Sequence, residues 1–243
     1  MRFEHYLLFI LISAAIDCFA QTCIVAVKSH DKIIVGADSK ASYLIQDEKT
    51  GEIKKISTSM CKIKKYGNYH VAVAGSYSDI ALLKAKSAFT NVYDLERSVK
   101  ILSDSFSSEI LRKVNVVKEN YSSLFKEIQL KNNNIFSSVI IFGINHDTLH
   151  LSVLRFFLST EETTIKVNSK YENGTIITAG HTNEIDDLLQ LESTWKDGIV
   201  KGVKRLIEIE SIAQPNSVGG PIDIIVVTLN GAFWIDKKEE CDP

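Results

Sequence analysis

Thr22 opens the run Thr22-Cys23-Ile24-Val25-Ala26-Val27 directly behind a leader-like segment. A threonine at a chain terminus offers a hydroxyl nucleophile and, on the same residue, a free α-amine that can take its proton. A threonine inside a chain has no such base, so the chemistry depends on what precedes it. Residues 1–21 read as a secretory signal or propeptide: Arg2 lies in a short polar start, an apolar stretch runs from Tyr6 to Ile16, and Cys18-Phe19-Ala20 has small residues where a signal peptidase inspects them. The mature chain is expected to begin at Gln21 or Thr22 and to be secreted or periplasmic. The apolar stretch is shorter than the roughly 20 residues a membrane-crossing helix needs, so no stable membrane anchor is expected. Asp17 also stands where a lipidated cysteine at position 18 would want a small residue.

Other residues that could do chemistry are arranged less favourably. Cys23, Cys61 and Cys241 are too few for a disulfide scaffold and show no Cys-x-x-Cys or Cys/His ligand spacing. His146 and His150 would suit a metal on a helix, but the surrounding alternation reads as strand. Neither a metal nor a cofactor is expected. The net charge is −2 with Lys and Arg scattered through both halves, which is no footprint for nucleic acid. Two sequons, at Asn120 and Asn173, are open to glycosylation in a eukaryotic host.

The elements that must position Thr22 follow from hydrophobic periodicity. Residues 23–28 and 32–38 are β-branched runs on either side of His30-Asp31, the arms of a tight hairpin. Residues 39–60 are polar and read as loop, with a turn at Lys49-Thr50-Gly51. A second hairpin is expected from 61–65 and 69–74 around Gly67-Asn68, ended by Gly75. Helical spacing covers 78–89 and a long stretch from 94 to about 130. Strands return at 137–143, 148–157, 163–167 and 175–179, then helices at 184–191 and 194–212, then a closing strand pair at 221–229 and 232–235 across Asn230-Gly231. Sheet segments alternating with helix pairs imply two stacked sheets with helices outside. The roughly 220 residues after the leader suit one domain, 22–243.

Three segments carry a resemblance to a known family: Thr22-x-Ile24-Val25-x-Val27, Gly36-Ala37-Asp38-Ser39-Lys40-Ala41, and Val71-Ala72-Val73-Ala74-Gly75-Ser76-Tyr77-Ser78-Asp79. The chain resembles proteasome β-subunits and their bacterial relatives, the threonine peptidases of the N-terminal nucleophile (Ntn) hydrolase superfamily. The resemblance implies an α+β fold of four layers, an αββα sandwich. It is specific near Thr22 and loose beyond residue 130.

In that family the spacing from Thr22 to Asp38 separates the nucleophile from an aspartate at the end of the second strand, which holds a lysine beside the threonine. A cation there keeps the terminal amine neutral and basic near neutral pH, against an unperturbed value of roughly 8. Lys62 best fits the distance to the Ala74-Gly75 turn, because extra residues are better tolerated in the polar 39–60 segment than inside a hairpin. Lys55, in Ile53-Lys54-Lys55-Ile56, is the reserve and Lys54 stands behind both. The resemblance gives Gly75 the role of an oxyanion donor through its backbone N–H. The family's Gly-Ser-Gly-like turn and Asp-x-x-Ser-Gly-Gly loop have their nearest matches at Ala179-Gly180-His181 and at 215–220, where the aspartate is absent; His181 or Ser217 would have to stand in. Gln21 replaces the glycine that commonly precedes the threonine in self-cleaving precursors.

The resemblance therefore implies a threonine-type hydrolase of peptides or other amides, needing no cofactor and open to homo-oligomeric ring assembly. A leader removed by signal peptidase, an aminopeptidase or autolysis at Gln21-Thr22 would complete it. The alternative is a non-catalytic proteasome-like subunit, acting in assembly or binding, whose leader persists wholly or in part.

Overall fold

A computed structural model describes residues 22–46, 53–90, 94–129, 134–160, 164–239 and 241. The leader and the Lys49-Thr50-Gly51 turn lie outside the described residues. Among the described residues, twelve strands and five α-helices form an α+β fold in which every strand pairing is antiparallel.

The first hairpin forms as expected, β1 (Cys23–Lys28) against β2 (Lys32–Asp38). The polar segment after it is not a loop: β3 (Lys40–Gln46) and β4 (Ile53–Ser59) make a separate two-stranded sheet. Then come β5 (Ile63–Tyr66) and β6 (Tyr69–Gly75), followed by α1 (Ser78–Phe89). The long helical stretch divides into α2 (Leu95–Asn120) and α3 (Ser122–Gln129), because Tyr121 leaves helical geometry at φ −139°, ψ 69°. Strands β7 (Ile135–Asn145), β8 (Thr148–Thr160), β9 (Ile165–Asn173) and β10 (Ile176–Gly180) follow. The helix expected at 184–191 is only a 3-10 turn at Asp187–Gln190. The next helix splits at Gly198, φ 95°, into α4 (Glu192–Trp195) and α5 (Ile199–Ala213). The chain closes with β11 (Ile222–Thr228) and β12 (Gly231–Asp236).

One five-stranded sheet runs β10-β1-β2-β11-β12 and the other β5-β6-β7-β8-β9. Both faces of the central strands are buried, so alternate side chains serve different cores. Ile24 and Ala26 of β1 join Ala72 and Ala74 of β6 and Ile140 of β7 in one apolar cluster. Cys23 and Val25 point the other way, toward Val203, Leu206 and Ile207 of α5. Val71 and Val73 of β6 meet α1 and α2, including Leu102, Phe106 and Ile110. The buried stripe of α2 recurs at steps of three and four from Leu95 to Val117. Its first turn is capped by Asp94, whose carboxylate accepts from the Arg97 N–H at 2.7 Å. Each fully buried Leu, Ile or Phe contributes about 1.5–3 kcal/mol, so these clusters hold the two sheets in fixed relation.

One covalent link lay beyond the cysteine spacing. Cys61 and Cys241 form a disulfide with their Cα atoms 5.5 Å apart. Among the described residues no helix is long and apolar enough to cross a membrane.

Candidate active site

Asp38 ends β2 and Lys62 immediately precedes β5, both about 1% exposed. The Lys62 ammonium donates to the Thr22 hydroxyl, to Asp38 Oδ1 at 3.0 Å and to the Lys40 carbonyl. An ammonium has three N–H donors, and each has an acceptor. Asp38 is equally well satisfied. Its Oδ1 also accepts from the Cys23 N–H at 2.9 Å, while Oδ2 accepts from the N–H groups of Gly219 at 2.9 Å and Lys40 at 3.1 Å. A buried ion pair endures when its remaining hydrogen-bonding capacity is filled, and this one is filled by backbone from three separate segments.

Burial pushes Lys62 below the usual lysine value, with the Asp38 carboxylate opposing the shift. The lysine can therefore give up its proton more readily than one in water. The neighbouring Cys23 thiol moves the opposite way: burial first, then the Asp38 charge, raise it well above its ordinary value. It stays a thiol, the unreactive form.

Thr22 is wholly buried. Its carbonyl accepts from the His181 N–H at 2.7 Å. Gly180, at φ 89°, closes on the same carbonyl so tightly that a Cβ there would overlap it. The Ala179-Gly180-His181 segment thus holds Thr22 by backbone. Gly75, at φ 99°, turns the chain from β6 into α1, and its carbonyl accepts from the Ser78 hydroxyl at 2.6 Å. A Cβ at Gly75 would stand 2.7 Å from the Phe136 carbonyl oxygen, so only glycine fits. Gly75 and Gly180 line one cleft of about 260 Å³.

The reserve lysine, Lys55, stands in mid-β4 opposite Leu44; among the described residues the lysine on Asp38 is Lys62. Ser217 is buried in the segment between α5 and β11. That segment reaches Asp38 through the Gly219 N–H, and its Gly219 carbonyl accepts from the N–H groups of Ser39 and Lys40. His146 sits in the β7–β8 turn at φ 45°, apart from His150 on β8. No group of three His, Cys, Asp or Glu side chains able to hold a metal occurs among the described residues.

Sequence reasoning missed the Cys61–Cys241 bond, which is adjacent to Lys62, and the segment that it fastens. The Lys238 ammonium reaches Ser59 Oγ at 3.0 Å and the Met60 carbonyl at 2.9 Å, and the Lys238 N–H donates to Asp223 at 2.8 Å. The segment carrying Lys62 is thereby tied to β11. A larger cavity of about 1090 Å³, between α5, the 219–222 segment and residues 236–239, touches Asp38 but neither Thr22 nor Lys62. No family model and no curated protein matches the chain.

Proposed function

We propose that this chain is an exported, proteasome-like threonine hydrolase of the Ntn superfamily, built as a four-layer αββα sandwich and cleaving peptide or other amide bonds through Thr22. The observation that carries the reading is the contact of the Lys62 ammonium with both Thr22 Oγ1 and Asp38 in a buried site. The layering is supported by the three apolar clusters: helices α1 and α2 on one sheet, sheet on sheet, and sheet on α5.

Once residues 1–21 are removed, the freed Thr22 amine takes the proton of its own hydroxyl as Oγ1 attacks the substrate carbonyl carbon. The Lys62 ammonium stabilises negative charge developing on Oγ1, and Asp38 holds that ammonium in place. The Gly75 N–H donates to the oxyanion. Collapse breaks the C–N bond, the departing amine takes the proton from the Thr22 ammonium, and an ester to Oγ1 remains. Water, deprotonated by the same amine, hydrolyses that ester and restores Thr22.

A protein beginning at Thr22 should hydrolyse members of a peptide panel and be acylated on Thr22 by a threonine-directed β-lactone. Thr22→Ala should lose both activities while keeping its circular dichroism spectrum and melting temperature. Hydrolysis that survives Thr22→Ala would place the chemistry elsewhere.

One observation favours a second reading. Gln21 stands where self-cleaving precursors carry glycine. A chain that keeps its leader would be a non-catalytic relative that binds or assembles.

A further inference from the structure

The cleft bordered by Gly75 and Gly180 has a chemical character of its own. It is the open end of the space between the two sheets. Ala74, Ser138 and Arg155 stand in register across β6, β7 and β8. Neighbours of these residues on the same strands, Ala72, Ile140 and Val153, belong to the apolar inter-sheet cluster, so the row Ala74-Ser138-Arg155 is where that interior turns polar. Ser138 is 1% exposed, and its hydroxyl has no hydrogen-bond partner among the described residues. An orphaned buried hydroxyl is costly, and it calls for a ligand group.

Arg155 supplies the charge. One guanidinium nitrogen crosses to β10 and donates to the Thr178 carbonyl at 3.1 Å, fixing the group in the cleft wall. Glu172 neutralises it only partly: the Nε contact is 3.4 Å, and Glu172 is held more closely by Lys170 at 2.7 Å. Arg155 is the cation of the cleft lining, whereas Glu172, shared with Lys170, stands outside that lining. Asp186 also borders the cleft but is exposed at its rim, where solvent and salt screen it. The Arg155 side chain is 20% exposed, so its field acts in a lower dielectric and outweighs the rim carboxylate.

We propose that this cleft is the specificity pocket of the Thr22 site and that it takes a substrate carboxylate, paired with Arg155 and hydrogen-bonded by Ser138. The proposal rests on the catalytic reading above. Thr22 itself does not line the cleft, which meets the site at Gly180, where the backbone closes on the Thr22 carbonyl; the cleft volume, below the roughly 300–1,000 Å³ of drug-sized sites, suits one side chain. Arginine presents a planar fork of donors that matches a carboxylate.

The test uses protein beginning at Thr22, a β-lactone without a charged substituent, and a mixture of peptides with Glu, Gln, Leu or Lys on either side of candidate bonds. Acylation of Thr22, read by intact mass, reports on the catalytic reading alone. Cleavage beside Glu is expected to exceed cleavage beside Leu by about tenfold or more, the range of a hydrogen bond to a charged group, with Lys poorest. Arg155→Met should abolish that preference, with acylation of Thr22 by the β-lactone still detected. Glu172→Gln should enlarge the preference. Ser138→Ala, which removes only the orphaned hydroxyl, should slow cleavage beside Glu about fivefold and leave cleavage beside Leu unchanged. Acylated protein that cuts without regard to charge, or whose preference survives Arg155→Met, overturns the pocket assignment and leaves the hydrolase reading standing. Absence of acylation by the lactone overturns the hydrolase reading and this proposal together.

Discussion

Lys62 shows how a single side chain can be both constrained and reactive. Its three donors are all engaged, so its position is fixed, while burial weakens its hold on the proton. Without Asp38 the buried ammonium would be lost to desolvation, and without burial it would be an ordinary, firmly protonated lysine. His70 illustrates burial without compensation. It is 6% exposed, stacks on Phe142, and its Nδ1 has no partner among the described residues. Burial, helped by the charge of Lys65, lowers it from 6.5 to about 4. The neutral imidazole is the folded form, so its contribution is fully present above about pH 6.5 and is withdrawn as pH falls through about 4. The full linkage amounts to roughly 3 kcal/mol. Denaturant midpoints at pH 7 and pH 4.5 should fall further apart for the wild type than for His70→Phe, which keeps the stack on Phe142. Equal pH slopes for the two proteins would contradict this.

The elements were legible in the sequence where apolar periodicity was strong. The β1–β2 hairpin, the turn at Gly75 and helix α1 fall at or within a residue or two of the positions that periodicity assigns. Polar composition hid β3 and β4, because the β3–β4 sheet pairs with neither five-stranded sheet and residues such as Ile56 remain exposed. A strand of polar composition carries little apolar pattern. The helix breaks at Tyr121 and Gly198 were equally obscure, since the apolar spacing continues across each one. Thr22, Asp38 and Gly75 could be chosen from the sequence because short motifs contain them. The choice between Lys55 and Lys62 could not be closed, because it depends on the path of the chain between 39 and 60. The observed path makes an element-scale prediction. Lys62→Ala should lower hydrolysis by at least about 10²-fold, and leaving Asp38 buried without its cation should cost about 3–5 kcal/mol of stability. Lys55→Ala, at a β4 position in register with Leu44, should keep near wild-type activity. An inactive Lys55→Ala beside an active Lys62→Ala would refute this assignment of the site.

At the scale of the whole molecule, the site is assembled from distant parts of the chain. Asp38 is held by a backbone N–H from Gly219, and Lys62 follows a cysteine bonded to Cys241. The disulfide joins residues 180 apart in sequence, and closing so long a loop favours the folded state by up to about 5 kcal/mol in the chain-entropy account. No sequence pattern announced it, because two isolated cysteines have no spacing to read. The double variant Cys61→Ser/Cys241→Ser should lose about 2–5 kcal/mol in denaturant unfolding, and its hydrolysis should fall through displacement of Lys62. Unchanged stability in non-reducing buffer would mean that the bond does not constrain the fold.

All of this chemistry depends on Thr22 becoming a chain terminus. The intact mass of the protein recovered from its natural source tests that most directly. A mature chain that begins at Thr22 is expected. A stable chain beginning at Met1, Ala20 or Gln21 would leave the hydroxyl without its amine and contradict the proposed catalysis.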